Sequence, residues 1–487
     1  MIQFDHINFT YTGTAVTEIG VKNINLSIKS GECILLCGRS GCGKTTLTKL
    51  VNGLIPNYFP GELNGSVRAC NLDIFETPMY KISEKVGSVF QNPRTQFFNV
   101  DVDSEIAFGI ENSALPPEEL CKRLESTLDA LHIRHLQGRN IFELSGGEKQ
   151  KVAFASVYAM NPEIYLLDEP SSNLDMAAIE ELKGYLRLLK KQGKTILIAE
   201  HRLYYLLDIA DRIVYLSEGR IESIYTPSEL RAVSNADRKE MGLRAVDLKE
   251  VHPHSTASEC RKPMLALQNV AVFYKKRPIL EHISLQASKG EVIGIVGCNG
   301  AGKTTFLRTL CGLHKEYSGA FLWREKVQKE KERMKRSYMV MQDVNYELFA
   351  DSVEAECSFG IRNPDRELAE KTLKELGLFD VRKRHPNTLS GGQKQRLAVA
   401  VSMICGKELL VFDEPTSGLD YDSMVQVGRL IEKLAEDKII FVVTHDYEFL
   451  CQTCTRMIRF EHQMMTDDVL LSTENEKTIR TLMGIYK

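Results

Sequence analysis

Gly38-Arg39-Ser40-Gly41-Cys42-Gly43-Lys44-Thr45 has the glycine spacing, lysine and hydroxyl that hold a nucleotide's phosphates. The pattern returns as Gly297-Cys298-Asn299-Gly300-Ala301-Gly302-Lys303-Thr304. Both runs match G-x-x-x-x-G-K-[ST], follow an apolar stretch and open a helix-like segment. Successive backbone N–H groups and a helix N-terminus would cradle the phosphates, with Lys44 and Lys303 as point charges on the β- and γ-groups. Thr45 and Thr304 offer hydroxyls to Mg²⁺, and the adjacent Thr46 and Thr305 complete the candidate nucleotide-binding set. The two lysines lie 259 residues apart (303 − 44), and each is followed by the same later motifs in the same order. The chain therefore reads as two nucleotide-binding halves fused head to tail.

Next come Tyr165-Leu166-Leu167-Asp168-Glu169 and Leu410-Val411-Phe412-Asp413-Glu414. An Asp at the end of a buried strand can hold a metal's water shell, and the adjacent Glu can polarise an attacking water as general base.

These residues need a scaffold of short buried strands. Cys33 to Cys37, Tyr165 to Leu167 and Thr195 to Ala199 read as parallel strands, repeated by Val292 to Val296, Leu409 to Phe412 and Ile439 to Val443. Amphipathic stretches such as Met176 to Gln192 and Asp422 to Asp437 alternate with them, which indicates an α/β fold with ligand at the carboxyl ends of the strands. Aligned, the halves are 1–225 and 264–487. The polar stretch 226–263, with Pro227, Pro253, Ser255 and Ser258, reads as a linker that starts a short helix at Ser228. Its His252 and His254 read as solvated rather than metal-binding. The mixed-sign run Glu325 to Arg336 reads as a solvated face.

The 487 residues suffice for two or three domains, and 43% hydrophobic content with 26% charge is ordinary for a soluble protein. A net charge of −3 gives no support to nucleic-acid binding. No apolar run approaches the ~18 residues that span a bilayer, and the first residues lack a secretory pattern. A cytosolic chain is expected unless a partner holds it at a membrane. The 12 cysteines do not suggest a disulfide framework, and Cys451-Gln452-Thr453-Cys454 has no second pair to complete a zinc site. The helix N-terminus beside Cys42 and Cys298 is expected to lower a thiol pKa, although small residues tolerated in a variable loop explain them as well.

Leu144-Ser145-Gly146-Gly147-Glu148 and Leu389-Ser390-Gly391-Gly392-Gln393 resemble the signature motif of ATP-binding cassette ATPases. With Gln91 and Gln342, and His201 and His445, every cassette motif is present twice. The resemblance implies two tandem P-loop domains, each a RecA-like α/β core with an antiparallel β subdomain and a helical subdomain. It also implies ATP and Mg²⁺ as cofactors and head-to-tail pairing. One site would join Lys44, Gln91, Asp168, Glu169 and His201 with Ser390, Gly391, Gly392 and Gln393. The other would join Lys303, Gln342, Asp413, Glu414 and His445 with Ser145, Gly146, Gly147 and Glu148. Glutamate, glutamine and histidine would be catalytic, and Thr45, Gln91, Asp168, Thr304, Gln342 and Asp413 would hold the metal. Tyr11 and Tyr274, 33 (44 − 11) and 29 (303 − 274) residues before their lysines, resemble the aromatic that stacks on adenine. Asp175 and Asp420 would contact the opposite site. Glu148 in place of the usual Gln predicts unequal sites if its carboxylate turns inward, and no cost if it turns outward.

Within that family, Asn92-Pro93-Arg94-Thr95-Gln96-Phe97-Phe98 and Glu105 to Asn112 resemble the energy-coupling factor ATPases of micronutrient uptake. So do the looser echo Leu348-Phe349 and Glu356 to Asn363, Leu54-Ile55-Pro56, Gly61 to Gly65, and Ala199-Glu200-His201-Arg202-Leu203. The implied partners are a transmembrane coupling protein and a substrate-binding membrane subunit at the cytoplasmic face of the cell membrane, without direct membrane insertion. Phe97, Phe98 and Phe108 suit either a partner groove or plain core. A tandem-cassette translation factor usually reads Asn-His-Leu-Asp where this chain has Ser172-Asn173-Leu174-Asp175 and Ser417-Gly418-Leu419-Asp420. The ATPase of sugar importers usually loses the second lysine, which Lys303 retains. The transported substrate is not named by this sequence, because specificity would reside in another chain.

Overall fold

The apolar runs flanking each phosphate loop become central strands because they are strand-length and buried on both faces. The computed structural model describes residues 1–12, 18–113, 115–254, 262–361 and 363–485. They divide into two compact units, Met1–Val246 and Asp247–Lys487. Ser255, Ser258 and Arg362 lie outside the described residues.

In the first unit a six-stranded sheet runs in the order Arg220–Tyr225, Arg212–Ser217, Cys33–Cys37, Thr195–Ala199, Ile164–Asp168, Val86–Val89. Only the edge strand Arg220–Tyr225 is antiparallel to its neighbour. A second, antiparallel sheet (Glu18–Ile28, Ile2–Tyr11, Gly61–Ala69, Leu72–Asp73) shares one core with it, in which Phe4, Phe9 and Leu26 meet Leu36, Leu47 and Val214. On the other face, helices Val102–Glu111 and Pro117–Ala130 pack on Gly146–Met160 around Ile106, Leu128 and Phe154. These are a RecA-like α/β core, an antiparallel β subdomain and a helical subdomain.

The second unit repeats the plan with the core order Arg456–Glu461, Val292–Val296, Ile439–Val443, Leu409–Asp413, Ser337–Val340. Its two sheets count as one ten-stranded sheet through a single pairing, Glu281 with Met464. The first unit marks the same junction with one bond, Lys22 N–H to Gly219 O at 2.7 Å, so the difference is small. The two amphipathic stretches form helices Met176–Lys191 and Tyr421–Ala435, capped by the Asp175 and Asp420 carboxylates.

Much of the stretch read as a linker is built into the units. Thr226 caps a helix over Pro227–Ala232, a second helix spans Asn235–Glu240, and Leu230, Leu243 and Val246 enter the first core. Beyond Asp247, Arg480 donates to Lys249 O at 2.6 Å and His254 N–H to Cys451 O at 2.9 Å within the second unit. Isolated apolar residues without period carried no sequence signal of this docking. His252 Nδ1 lies 3.1 Å from the Glu476 carboxylate, and no group of three or more His, Cys, Asp or Glu side chains that could hold a metal exists among the described residues. Cys451 and Cys454 are buried free thiols.

The run Glu325–Arg336 departs from a uniformly solvated face. Arg333 is buried, its guanidinium 3.9 Å from the Phe321 ring centroid and 4.6 Å from that of Tyr317. A planar guanidinium can lie flat against aromatic rings and is more weakly hydrated than an ammonium.

Phe306 is fully buried, edge-on to Phe460 at 5.0 Å, and packs the helix after the second loop against the sheet. Phe306→Ala should lower the stability of the second unit by about 3–5 kcal/mol in chemical denaturation. A loss below about 1 kcal/mol would contradict the packing described, since removal of a closely packed aromatic cannot be that cheap.

Candidate nucleotide site in each half

Each loop is shaped by the strand beside it. A Cβ on Gly38 would stand 2.2 Å from Leu216 O, and one on Gly297 would stand 2.3 Å from Phe460 O, at φ angles of 141° and 142°. Only glycine fits there. Lys44, 5% exposed, donates from Nζ to Gly38 O at 2.9 Å and Arg39 O at 3.0 Å. Lys303 does the same to Gly297 O at 2.6 Å and Cys298 O at 2.9 Å. Both ammonium groups thus lie over their own loops.

The metal candidates meet in both halves. Thr45 Oγ1 donates to Asp168 Oδ1 at 3.0 Å, and Thr304 Oγ1 to Asp413 Oδ2 at 2.7 Å. Burial, then the charge of Glu169, pushes the Asp168 carboxyl up to about 7; burial also raises Asp413. A desolvated carboxylate beside a hydroxyl is a hard-oxygen pair that suits Mg²⁺. A bound cation favours the ionised carboxylate.

Glu169 and Glu414 follow at φ 44° and 52°, a left-handed geometry unusual for glutamate. Their backbone N–H groups donate to Ala199 O (2.8 Å) and Val443 O (2.9 Å), extending the parallel ladder by one bond. That bond brings each glutamate to its histidine. His201 Nε2 lies 3.4 Å from Glu169 Oε1, and His445 Nε2 lies 3.5 Å from Glu414 Oε1. Gln91 Nε2 donates to Glu169 Oε2 at 2.6 Å, and His445 Nε2 is 3.2 Å from Asn299 Oδ1. Gln342 is exposed at the corresponding place in the second half.

Ser145 and Ser390 cap helices Gly146–Met160 and Gly391–Ile404, each in a capping box with Glu148 or Gln393. A Cβ on Gly146 or Gly391 would meet nothing within 4 Å, so both helix starts are open. The Glu148 carboxylate is held by its own half. Its Oε2 accepts from Ser145 N–H at 2.8 Å and its Oε1 pairs with Arg139 at 2.9 Å. Partial burial opposes its ionisation, but those bonds hold the carboxyl below its usual range.

The loop cysteines part company. Cys298 is exposed, whereas burial pushes the Cys42 thiol up, which corrects the expected lowering by the helix N-terminus. Tyr11 is half-buried, its hydroxyl 3.1 Å from Thr46 Oγ1, while Tyr274 is 56% exposed. Two residues escaped the sequence reading as organisers. Buried Glu105 accepts from the backbone N–H groups of Phe98 (3.0 Å) and Asn99 (2.8 Å). Buried Glu356 accepts likewise from Phe349 (2.8 Å) and Ala350 (2.7 Å). Their recurrence at matched spacing was the available signal.

A family model described as ABC transporter matches residues 21–172 and 280–417. A Treponema denticola chain assigned as an ABC transporter ATP-binding protein is 47% identical over 483 residues, 98% of each chain. One from Methanosarcina mazei with the same assignment is 34% identical, covering 96% of this chain and 95% of its own. Among solved structures, an RNase-L inhibitor is similar with a TM-score of 0.67 at 24% identity, covering 99% of this chain and 93% of its own, a likeness of fold alone.

Replacing both Glu169 and Glu414 with Gln should leave Mg-ATP bound while hydrolysis falls at least about a hundredfold. Steady-state phosphate release beside equilibrium nucleotide binding makes the comparison. A double variant that keeps most of its turnover would remove both residues from the general-base role.

Proposed function

We propose that this chain, which belongs to the ABC transporter family of ATP-binding proteins, powers an importer of the energy-coupling factor type. The family hydrolyses ATP with Mg²⁺ and serves membrane transport. The finer reading is uptake of a vitamin, metal ion or other micronutrient through a transmembrane coupling protein and a substrate-binding membrane subunit. The chain would be held peripherally at the cytoplasmic face. No helix among the described residues is long and apolar enough to cross a membrane, so the translocation path would belong to those partners.

One observation carries the reading. Just beyond Gln91, Phe98 is 75% exposed and stacks on Phe108 at a centroid distance of 5.0 Å. Just beyond Gln342, Phe349 and Phe359 repeat the pair at 6.4 Å, 67% and 59% exposed. Phe97, by contrast, packs against the core. An exposed aromatic pair has a cost in water that an apolar partner surface would offset. The buried carboxylates of Glu105 and Glu356 fix the backbone that presents each pair, so the patch is prearranged for docking.

In the proposed cycle each ATP lies between one half's phosphate loop and the other half's signature helix, the two halves pairing as a pseudo-dimer within the chain. Lys44 and Lys303 would exchange loop carbonyls for the β- and γ-phosphates, and the open helix starts at Gly146 and Gly391 would offer N–H groups to the opposite γ-phosphate. Mg²⁺, held by Thr45, Asp168 and Gln91 or by Thr304, Asp413 and Gln342, would neutralise developing phosphate charge. Glu169 and Glu414 would take up the proton of the attacking water, with His201 and His445 beside the γ-phosphate. Glu148, spent on its own helix and Arg139, would leave the two sites nearly equal.

Phe98→Asp and Phe349→Asp place a charge in each apolar pair. Co-expressed with the coupling protein, either variant should lose membrane sedimentation and transport while keeping the wild-type melting temperature and ATP affinity. Variants that sediment with membranes as fully as the wild type would remove these aromatics from the docking surface.

A further inference from the structure

The histidines of the two halves stand in different company: Glu200-His201-Arg202 in the first, Thr444-His445-Asp446 in the second. Glu200 is 2% exposed, and its carboxylate collects four donors. Oε1 accepts from the backbone N–H groups of His201 (2.7 Å) and Arg202 (3.2 Å). Oε2 accepts from Ser171 N–H (3.2 Å) and Tyr205 OH (2.9 Å). Such a set offsets the desolvation of a buried charge. Arg202, also buried, reaches back with one guanidinium nitrogen, 3.3 Å from Ser171 O and 3.4 Å from Leu174 O.

We propose that Glu200 and Arg202 are positioning residues that clamp the His201 turn to the Ser171–Asp175 loop. The loop leaves Glu169 through Pro170 and ends on Asp175, the cap of helix Met176–Lys191. The clamp therefore sets the 3.4 Å approach of His201 Nε2 to Glu169 Oε1 and holds Asp175 with it. The second half fastens the same loop differently: Thr416 Oγ1 donates to Asp446 Oδ2 at 3.3 Å, and Asp446 N–H to Thr444 Oγ1 at 3.0 Å. Ser171 occupies the place of Thr416, so the first half contains the remaining hydroxyl that the other arrangement needs. A carboxamide at 200 cannot replace the carboxylate. It offers one acceptor oxygen, and its NH₂ would face N–H donors. The proposal rests on the assignment of Glu169 and His201 to catalysis.

The test uses the full chain carrying Glu414→Gln, so that turnover reports the Glu169 site. Glu200→Gln should lower kcat about tenfold while the KM for ATP stays within about twofold, the split expected of lost positioning. Glu200→Thr with Arg202→Asp, which installs the second half's arrangement, should bring kcat back within about threefold of the parent, whereas Arg202→Asp alone should not. If Glu200→Gln does not fold, the comparison of the double variant with Arg202→Asp decides. An unchanged kcat, a KM that moves as far as kcat, or a double variant no better than Arg202→Asp would overturn the clamp. Glu169→Gln in the same background tests the underlying assignment separately. If it retains turnover, the assignment fails whatever Glu200 does.

Discussion

Everything at the candidate sites hangs on one feature of parallel pairing, the bond that carries the ladder one residue past the strand end. Asp168 pairs with Ala199 and Asp413 with Val443 in register, and the next N–H, that of Glu169 or Glu414, donates to the same opposing carbonyl. The carboxylate leaves the sheet through a left-handed residue beside the histidine. A one-residue slip would send Asp168 and Asp413 to the other face and separate each from its threonine. The observed register is the one in which Thr45 reaches Asp168 and Thr304 reaches Asp413.

Two levels of precision follow. Lysine, threonine, aspartate and glutamate are held by the sheet and its first loop, and they agree between halves to within a few tenths of an ångström. The surrounding turns differ: Glu200 and Arg202 do for one histidine what Thr416 and Asp446 do for the other. The chemistry is duplicated while its mounting has diverged.

The core strands, the order of motifs and the two amphipathic helices were legible in the sequence because burial on both faces and a helical stripe leave periodic marks. Capping by Asp175 and Asp420 was less so, since an aspartate before an apolar run reads equally as a site residue. The docking of Leu230, Leu243 and Val246 was illegible because three separated apolar residues make no period. Cys42 shows the limit of local rules: the helix N-terminus was visible, but the burial that outweighs it comes from residues distant in sequence. Arg333 hid in a charged run because stacking on Phe321 and Tyr317 is a tertiary fact. Glu148 is a similar case, its direction fixed by Arg139 and its own helix.

Each half supplies one phosphate loop with its own lysine, so the proposed function requires each chain to bind two nucleotides. Equilibrium dialysis of the full chain against labelled Mg-ATP under non-hydrolysing conditions measures this directly. The account predicts two ATP per chain, and one after either Lys44→Ala or Lys303→Ala. Binding of a single ATP by the unaltered chain, or a stoichiometry that ignores one of the two lysines, would contradict it.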